Sequence, residues 1–213
     1  MQIVWHGLSC FEITFKTLEG EVILVSDPYR SETGLKLPRN MTADIIISTH
    51  NAEDANAIDI VQGNPFIIAL PGEYEVRNVF LFGIQAPLKS GDRSHRLFVM
   101  EQEGIRIAHL GALDRSLTDK ELEQLSHIDI LMIPVGGGRV LSPGDASEVI
   151  GQIEPRVVIP MTHAVHGMKE TVGTVDSFCK ELSICRREEA IKYKVSRRDL
   201  PEEDMLIMNL ERA

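Results

Sequence analysis

Apolar and polar residues alternate along this chain in two different rhythms. In the first half the period is that of strands. Gln2 to Trp5, Cys10 to Phe15, Glu21 to Ser26, Ile45 to Ile47, Phe66 to Leu70, Val79 to Ile84, Arg96 to Glu101 and Ile105 to His109 each read as a short strand. Asp54 to Gln62 reads as a short helix with Ile58 and Val61 on one side. From Leu117 onward strands alternate with helices. Thr118 and Glu121 form a capping box, and Leu117 can staple onto Leu122. Ile128 to Pro134 is a continuous apolar run, the mark of a strand buried on both faces. Ser142-Pro143 opens a helix with Val149, Ile150 and Ile153 on its inner face. Val157 to Pro160 is a strand; Val172, Val175, Phe178 and Leu182 recur at helical spacing. Ile191, Tyr193 and Val195 alternate with Lys192 and Lys194, and Met205 to Leu210 closes the chain. No linker rich in Pro, Gly or Ser divides the sequence. The pattern predicts a single domain, residues 1–213, of mixed α/β (α+β) class: two sheets face to face with helices outside, a four-layer αββα sandwich.

Composition adds limits. The chain has 213 residues, 43% hydrophobic and 25% charged, enough to bury a substantial core. Its net charge is −10, from 32 acids against 22 bases. An acidic surface repels phosphate, so neither nucleic acid nor an anionic membrane is an expected partner. Arg186-Arg187 and Arg197-Arg198 are the basic doublets, read as solvated surface beside a strand. The opening M-Q-I-V-W-H-G lacks the basic-then-apolar pattern of a signal peptide, and no apolar run reaches membrane-spanning length. The three cysteines, Cys10, Cys179 and Cys185, are odd in number and contain no C-x-x-C pair. Buried thiols and a reduced cytoplasm are the simplest expectation; oxidation or metal binding by Cys179 and Cys185 is the alternative, at a spacing that is not a familiar one.

The candidate chemistry gathers at Ala43 to Ala57. A strand ends in Ser48-Thr49-His50, and Asp54 follows four residues after the histidine. Strand-end loops of this kind deliver several side chains to one spot. The stretch resembles the (S/T)-H-x-H-x-D-H signature of the metallo-β-lactamase superfamily. Other motifs resemble a branch of small stand-alone hydrolase-like members. Trp5-His6-Gly7-Leu8-Ser9-Cys10-Phe11 is similar to W-x-G-H-S-C-F, Asp27-Pro28 to a D-P after the third strand, and Pro71-Gly72-Glu73-Tyr74-Glu75 to P-G-E-Y-E. His109-Leu110-Gly111-Ala112-Leu113 is similar to H-L-G-D-L, and Pro160-Met161-Thr162-His163 to P-M-H-Y. The resemblance runs from Trp5 to Met161 and implies the αββα fold and metal-dependent hydrolysis.

The residues at the implied ligand positions depart from that chemistry. His50 and Asp54 are present. Ala52, Ala55 and Thr162 stand where the family has histidine, and Ala112 where it has the bridging aspartate. A hydrolytic metal needs about three protein ligands and an open position for water. The sequence thus predicts a member that keeps the fold with a degenerate centre and no cofactor. The first alternative is a one-metal hydrolase of an ester, amide or phosphoester, holding Zn, Fe or Mn by His50, Asp54 and His163, with His109 a weaker candidate. Asp54 and Glu73 are the candidate acid–base groups. Against this, Asp54 can pair with a neighbouring histidine or cap a helix, Glu73 can serve its turn, and His109 can be a hydrogen-bonded interior residue. His95 is read as a surface residue, and His163 with His166 as an exposed pair. The second alternative is a module that binds a small molecule or protein, or forms a homo-oligomer through a sheet edge. Gly136-Gly137-Gly138 reads as a tight turn.

Overall fold

The computed structural model describes residues 1–213. Its elements in chain order are β1 (Gln2–Gly7), β2 (Cys10–Thr17), β3 (Gly20–Ser26), β4 (Ile45–Ile47), β5 (Phe66–Ile68), β6 (Gly72–Val76), β7 (Val79–Gln85), β8 (Arg96–Gln102), β9 (Ile105–His109), α1 (Asp119–Gln124), β10 (Ile130–Pro134), α2 (Pro143–Ile153), β11 (Val157–Met161), α3 (Val175–Cys179), β12 (Arg187–Ala190), β13 (Lys192–Lys194) and β14 (Leu206–Leu210). They form a six-stranded sheet, β13-β1-β2-β3-β4-β5, and an eight-stranded sheet, β12-β14-β11-β10-β9-β8-β7-β6. Both are mixed: β3, β4 and β5 run parallel, as do β9, β10, β11 and β14, with antiparallel hairpins beside them.

Burial follows from the strand period of two. In β4, Ile45 and Ile47 point between the sheets and Ile46 points outward, yet all three are fully buried. The inter-sheet core is aromatic and aliphatic: Trp5, Phe11, Ile13 and Phe15 from one sheet face Phe98, Met100, Met132 and Ile159 from the other. Truncation of a residue such as Phe98 would cost about 3–5 kcal/mol. The outer face of the larger sheet is covered by all three helices, through Leu122 of α1, Ala146, Val149 and Ile150 of α2 and Phe178 of α3. The outer face of the smaller sheet is covered by loop side chains, Tyr29, Leu35, Met41 and Val61, instead of α-helices. No helix is long and apolar enough to cross a membrane.

Several local expectations meet the structure directly. Thr118 caps α1 in a full capping box with Glu121, and Ser142 caps α2 with Pro143 in its first turn. Others need correction. Residues 54–62 hold only a 3₁₀ turn, Ile58–Ile60, because Pro28, Arg30 and Met41 take over the backbone bonds of that loop. The helix around Phe178 spans five residues, Val175–Cys179. The P-G-E-Y-E turn continues straight into an edge strand, β6. The alternating stretch around Tyr193 is not one strand from Ile191: β12 ends at Ala190, the chain bends at Ile191, and β13 joins the opposite sheet. Cys179 and Cys185, expected most simply as buried thiols with oxidation as the alternative, are joined in a disulfide six residues apart, and Cys10 is free and buried. The turn after α3 brings the two sulfurs together, which spacing alone does not reveal.

Candidate functional site

The C-terminal ends of parallel strands are where open α/β sheets place their ligands, and here those ends collect the loop histidines. β4 stops at Ile47. The loop beyond it closes on itself: Ser48 Oγ donates to the carbonyls of His50 (3.1 Å) and Ala55 (3.0 Å). Asp27, at the end of β3, is fully buried and adopts a left-handed backbone, φ 42°. Its carboxylate accepts from the Thr49 backbone N–H and the Thr49 hydroxyl, both at 2.7 Å.

The neighbouring imidazole joins the same network. Thr49 Oγ1 lies 2.9 Å from His50 Nδ1. His50 Nε2 lies 3.2 Å from Asp54 Oδ1. The ring is held between a hydroxyl and a carboxylate, a setting that favours its protonated form. Burial pulls its pKa down, but the Asp54 bond and the Asp27 and Asp54 charges more than offset this, and the net shift is upward. Asp54 is likewise disfavoured by burial; His50 and Arg139 outweigh that and hold its pKa down to about 2.

The second oxygen of Asp54 receives a guanidinium. Arg139 Nη2 sits 2.7 Å from Asp54 Oδ2, and Arg139 Nε donates to both oxygens of Glu170 at 2.9 Å. Asp27, Thr49, His50, Asp54, Arg139 and Glu170 thus form one continuous polar chain from the core to the surface. Arg139 reaches this position from the loop after β10. Gly137 and Gly138 take φ of 72° and 68°, as a tight turn requires. At Gly136 a Cβ would collide with the Thr162 carbonyl and the Val172 side chain, so only glycine lets the two loops close. Gly173 N–H donates to the Gly136 carbonyl at 2.7 Å, fastening the Glu170 segment to the same turn. Arg139, Asp54 and Glu170 line a cavity of about 280 Å³ together with Leu8, Glu53 and Lys169.

The other singled-out residues make no hydrogen bond to this polar chain, although the His95 ring lies 6.1 Å from that of His50. His163 is buried, not exposed: its ring lies against Trp5 with centroids 4.5 Å apart and planes tilted by 35°, and its Nε2 has no partner. Burial lowers its pKa to about 4. His166 is exposed. His95 is also fully buried, contrary to its surface reading. Its Nδ1 is 2.7 Å from the Ala86 carbonyl and its Nε2 accepts from Ala112 N–H at 3.1 Å. Desolvation brings its pKa to about 4. His109 is an interior residue, Nε2 2.9 Å from the Ser9 carbonyl. Glu73 is exposed on β6, outside the Arg139 cavity. His50 and Asp54 are therefore together, and His163, His109 and Glu73 do not join them. Arg139 was missed by sequence reading; an arginine following three glycines was its only trace.

This donor set does not fit a hydrolytic metal. No group of three His, Cys, Asp or Glu side chains converges anywhere in the molecule. Of the two ligand types present, His50 and Asp54 are hydrogen-bonded to each other, and Asp54 also holds Arg139. Ala55, Ala112 and Thr162 are buried at the corresponding loop positions and offer no side-chain ligand of the required kind.

The chain's relatives bear on the same point. The family model described as a β-lactamase superfamily domain matches residues 2–162. A UPF0173 protein of Pyrococcus abyssi is 28% identical over 209 residues, covering 85% of this chain and 90% of its own. A UPF0173 metal-dependent hydrolase of Thermococcus onnurineus is 25% identical, covering 76% and 84%. Among solved structures, a Thermotoga maritima protein assigned to the Zn-dependent hydrolases of the metallo-β-lactamase superfamily superposes with a TM-score of 0.79 at 30% identity, covering 99% of both chains. A metallo hydrolase of Ignicoccus hospitalis gives 0.65 at 17% identity, covering 84% and 89%, a likeness of fold. With a family model spanning most of its length and two sheets packed as in these relatives, the chain belongs to the β-lactamase superfamily.

Proposed function

We propose that this chain is a metal-independent member of its superfamily, a binding protein that keeps the strand-end cleft and not the hydrolytic centre. The observation that carries the reading is the Arg139–Asp54 pair. A guanidinium brings a fixed positive charge to a carboxylate that would otherwise serve a cation, and it cannot be deprotonated to make room for one. The upward shift of the His50 pKa supports the same conclusion, since metal ligation needs the neutral ring. Glu170 on the far side of Arg139 holds the guanidinium against Asp54.

The test is elemental analysis of untagged protein, produced with zinc, iron and manganese supplied and purified without chelator. The expected result is metal far below one per chain, unchanged in His50→Ala. Near-stoichiometric metal that is lost in His50→Ala would sink the proposal and promote a one-metal hydrolase, to be assayed on esters, amides and phosphoesters.

A further inference from the structure

The sandwich has two open margins on opposite sides. One is formed by β5 and β6, the last strands of the two sheets, and the other by β12 and β13. Six of the eight large hydrophobic side chains that are exposed lie at these margins. Phe66, Ile67, Leu70 and Phe80 belong to the first; Ile184, leading into β12, and Ile191, between β12 and β13, belong to the second. Exposed apolar groups gathered in this way mark contact surfaces more often than scattered ones do.

The same two margins carry opposite charge. Residues 59–76 contain Asp59, Glu73 and Glu75 and no base. Residues 186–198 hold six of the chain's 22 basic side chains and two acids, Glu188 and Glu189, in a protein whose net charge is −10. The edge strands repeat the contrast at the same spacing. On β6, Glu73 and Glu75 are exposed while Tyr74 and Val76 pack against the inter-sheet core. On β13, Lys192 and Lys194 are exposed while Tyr193 belongs to that core. None of these four charged side chains has an ion-pair partner within the chain.

From this we infer that the chain assembles head to tail, the β13 margin of one copy docking along the β6 margin of a second. Charged residues on edge strands ordinarily block strand addition. Here the block is selective. Pairing β6 with β6 would set carboxylates against carboxylates, and pairing β13 with β13 would set ammonium groups together. Pairing β13 with β6 sets Lys192 and Lys194 against Glu75 and Glu73 on the outer face, with Tyr193 beside Tyr74 on the inner face. Turning the neighbour half over about the line joining the margins also brings its β12 alongside β5, where Phe66 and Ile67 are exposed. Because donor and acceptor margins lie on opposite sides, the contact is heterologous and builds a ring or an open chain of copies.

Sedimentation velocity on the full-length protein tests this, across protein concentration and at low and high salt. The expected result for wild type is a mass that rises with concentration and falls with salt. Glu73→Lys with Glu75→Lys should weaken self-association by about tenfold or more, as should Lys192→Glu with Lys194→Glu. Mixing the two charge-reversed proteins should restore assembly, since each then supplies the margin complementary to the other. All four positions are exposed, and circular dichroism of each variant checks that the fold is kept. A wild-type protein that stays monomeric at low salt overturns the inference. So does assembly that survives both reversals, or reversed variants that fold but do not co-assemble when mixed.

Discussion

Arg139 is the side chain on which the reading of the site depends, and its removal has a calculable direction. In Arg139→Ala, Asp54 keeps His50 and loses its second partner. The Asp54 pKa should rise from about 2 toward the ordinary carboxylate range, read by NMR titration of the side chain. Stability should fall by about 1–2 kcal/mol, less than for a deeply buried pair because the arginine side chain is 37% exposed and partly screened. An unchanged Asp54 titration would show that His50 alone sets it. The buried histidines give a second prediction. His163 has a folded pKa near 4, well below its unfolded value of about 6.5. Between those values the unfolded chain binds the extra proton, so stability is lost as pH falls through that window, by up to roughly 3 kcal/mol. His163→Phe, which keeps a ring against Trp5, should flatten that acid limb in pH-dependent thermal melts. An acid limb as steep as wild type would move the effect to His95, whose pKa is also near 4. At this scale the His50–Asp54 pair was legible, because its partners share one short loop. Arg139 was not, because its partners sit on two other loops brought together by the fold. His95 and His163 looked like surface residues because residue type was the only guide; the Ala86 carbonyl and the Trp5 ring are what hold them inside.

Among the elements, the capped helices were the most legible and the short apolar stretches the least. Local hydrogen bonding writes a capping box into four adjacent residues, whereas strand length depends on which neighbours the sheet supplies. α1 has only six residues and leans heavily on its cap. Glu121 also receives Arg115, through bonds of 2.9 and 2.7 Å, so the cap is tied to the preceding loop. Thr118→Ala should cost about 1 kcal/mol in chemical denaturation, and Thr118→Ser should recover most of it. Equal stability of the two variants would mean that the Arg115–Glu121 pair holds the helix start alone. The bend at Ile191 escaped sequence reading for the opposite reason. Alternation runs straight through it, and only the sheet pairings on either side reveal that the chain changes layers there.

For the molecule as a whole, the two-sheet α/β plan was readable because strand and helix periods are global features, and the family motifs fell in their expected order; the loop-covered outer face of the smaller sheet, expected to carry helices, was not. The proposed loss of the metal centre can be tested by reversing it. Ala52→His, Ala55→His, Ala112→Asp and Thr162→His together should create zinc affinity, measurable by calorimetry. Adding Arg139→Ala should strengthen that affinity, because Asp54 no longer has to release a guanidinium. The left-handed backbone of Thr162, φ 51°, is one that histidine tolerates. Equal zinc affinity with and without Arg139 would show that the guanidinium does not compete for the site.

The two sheets are strapped together at both margins. Three residues, Ala69 to Pro71, carry the chain from β5 to β6, and Ile191 alone carries it from β12 to β13. A clamshell needs one free lip, and this sandwich has none: each short strap would be stretched before the layers could part or slide. Whatever enters the cleft must be admitted by the loops at the strand ends, the Glu170 segment above all, while the body behind them behaves as a rigid frame.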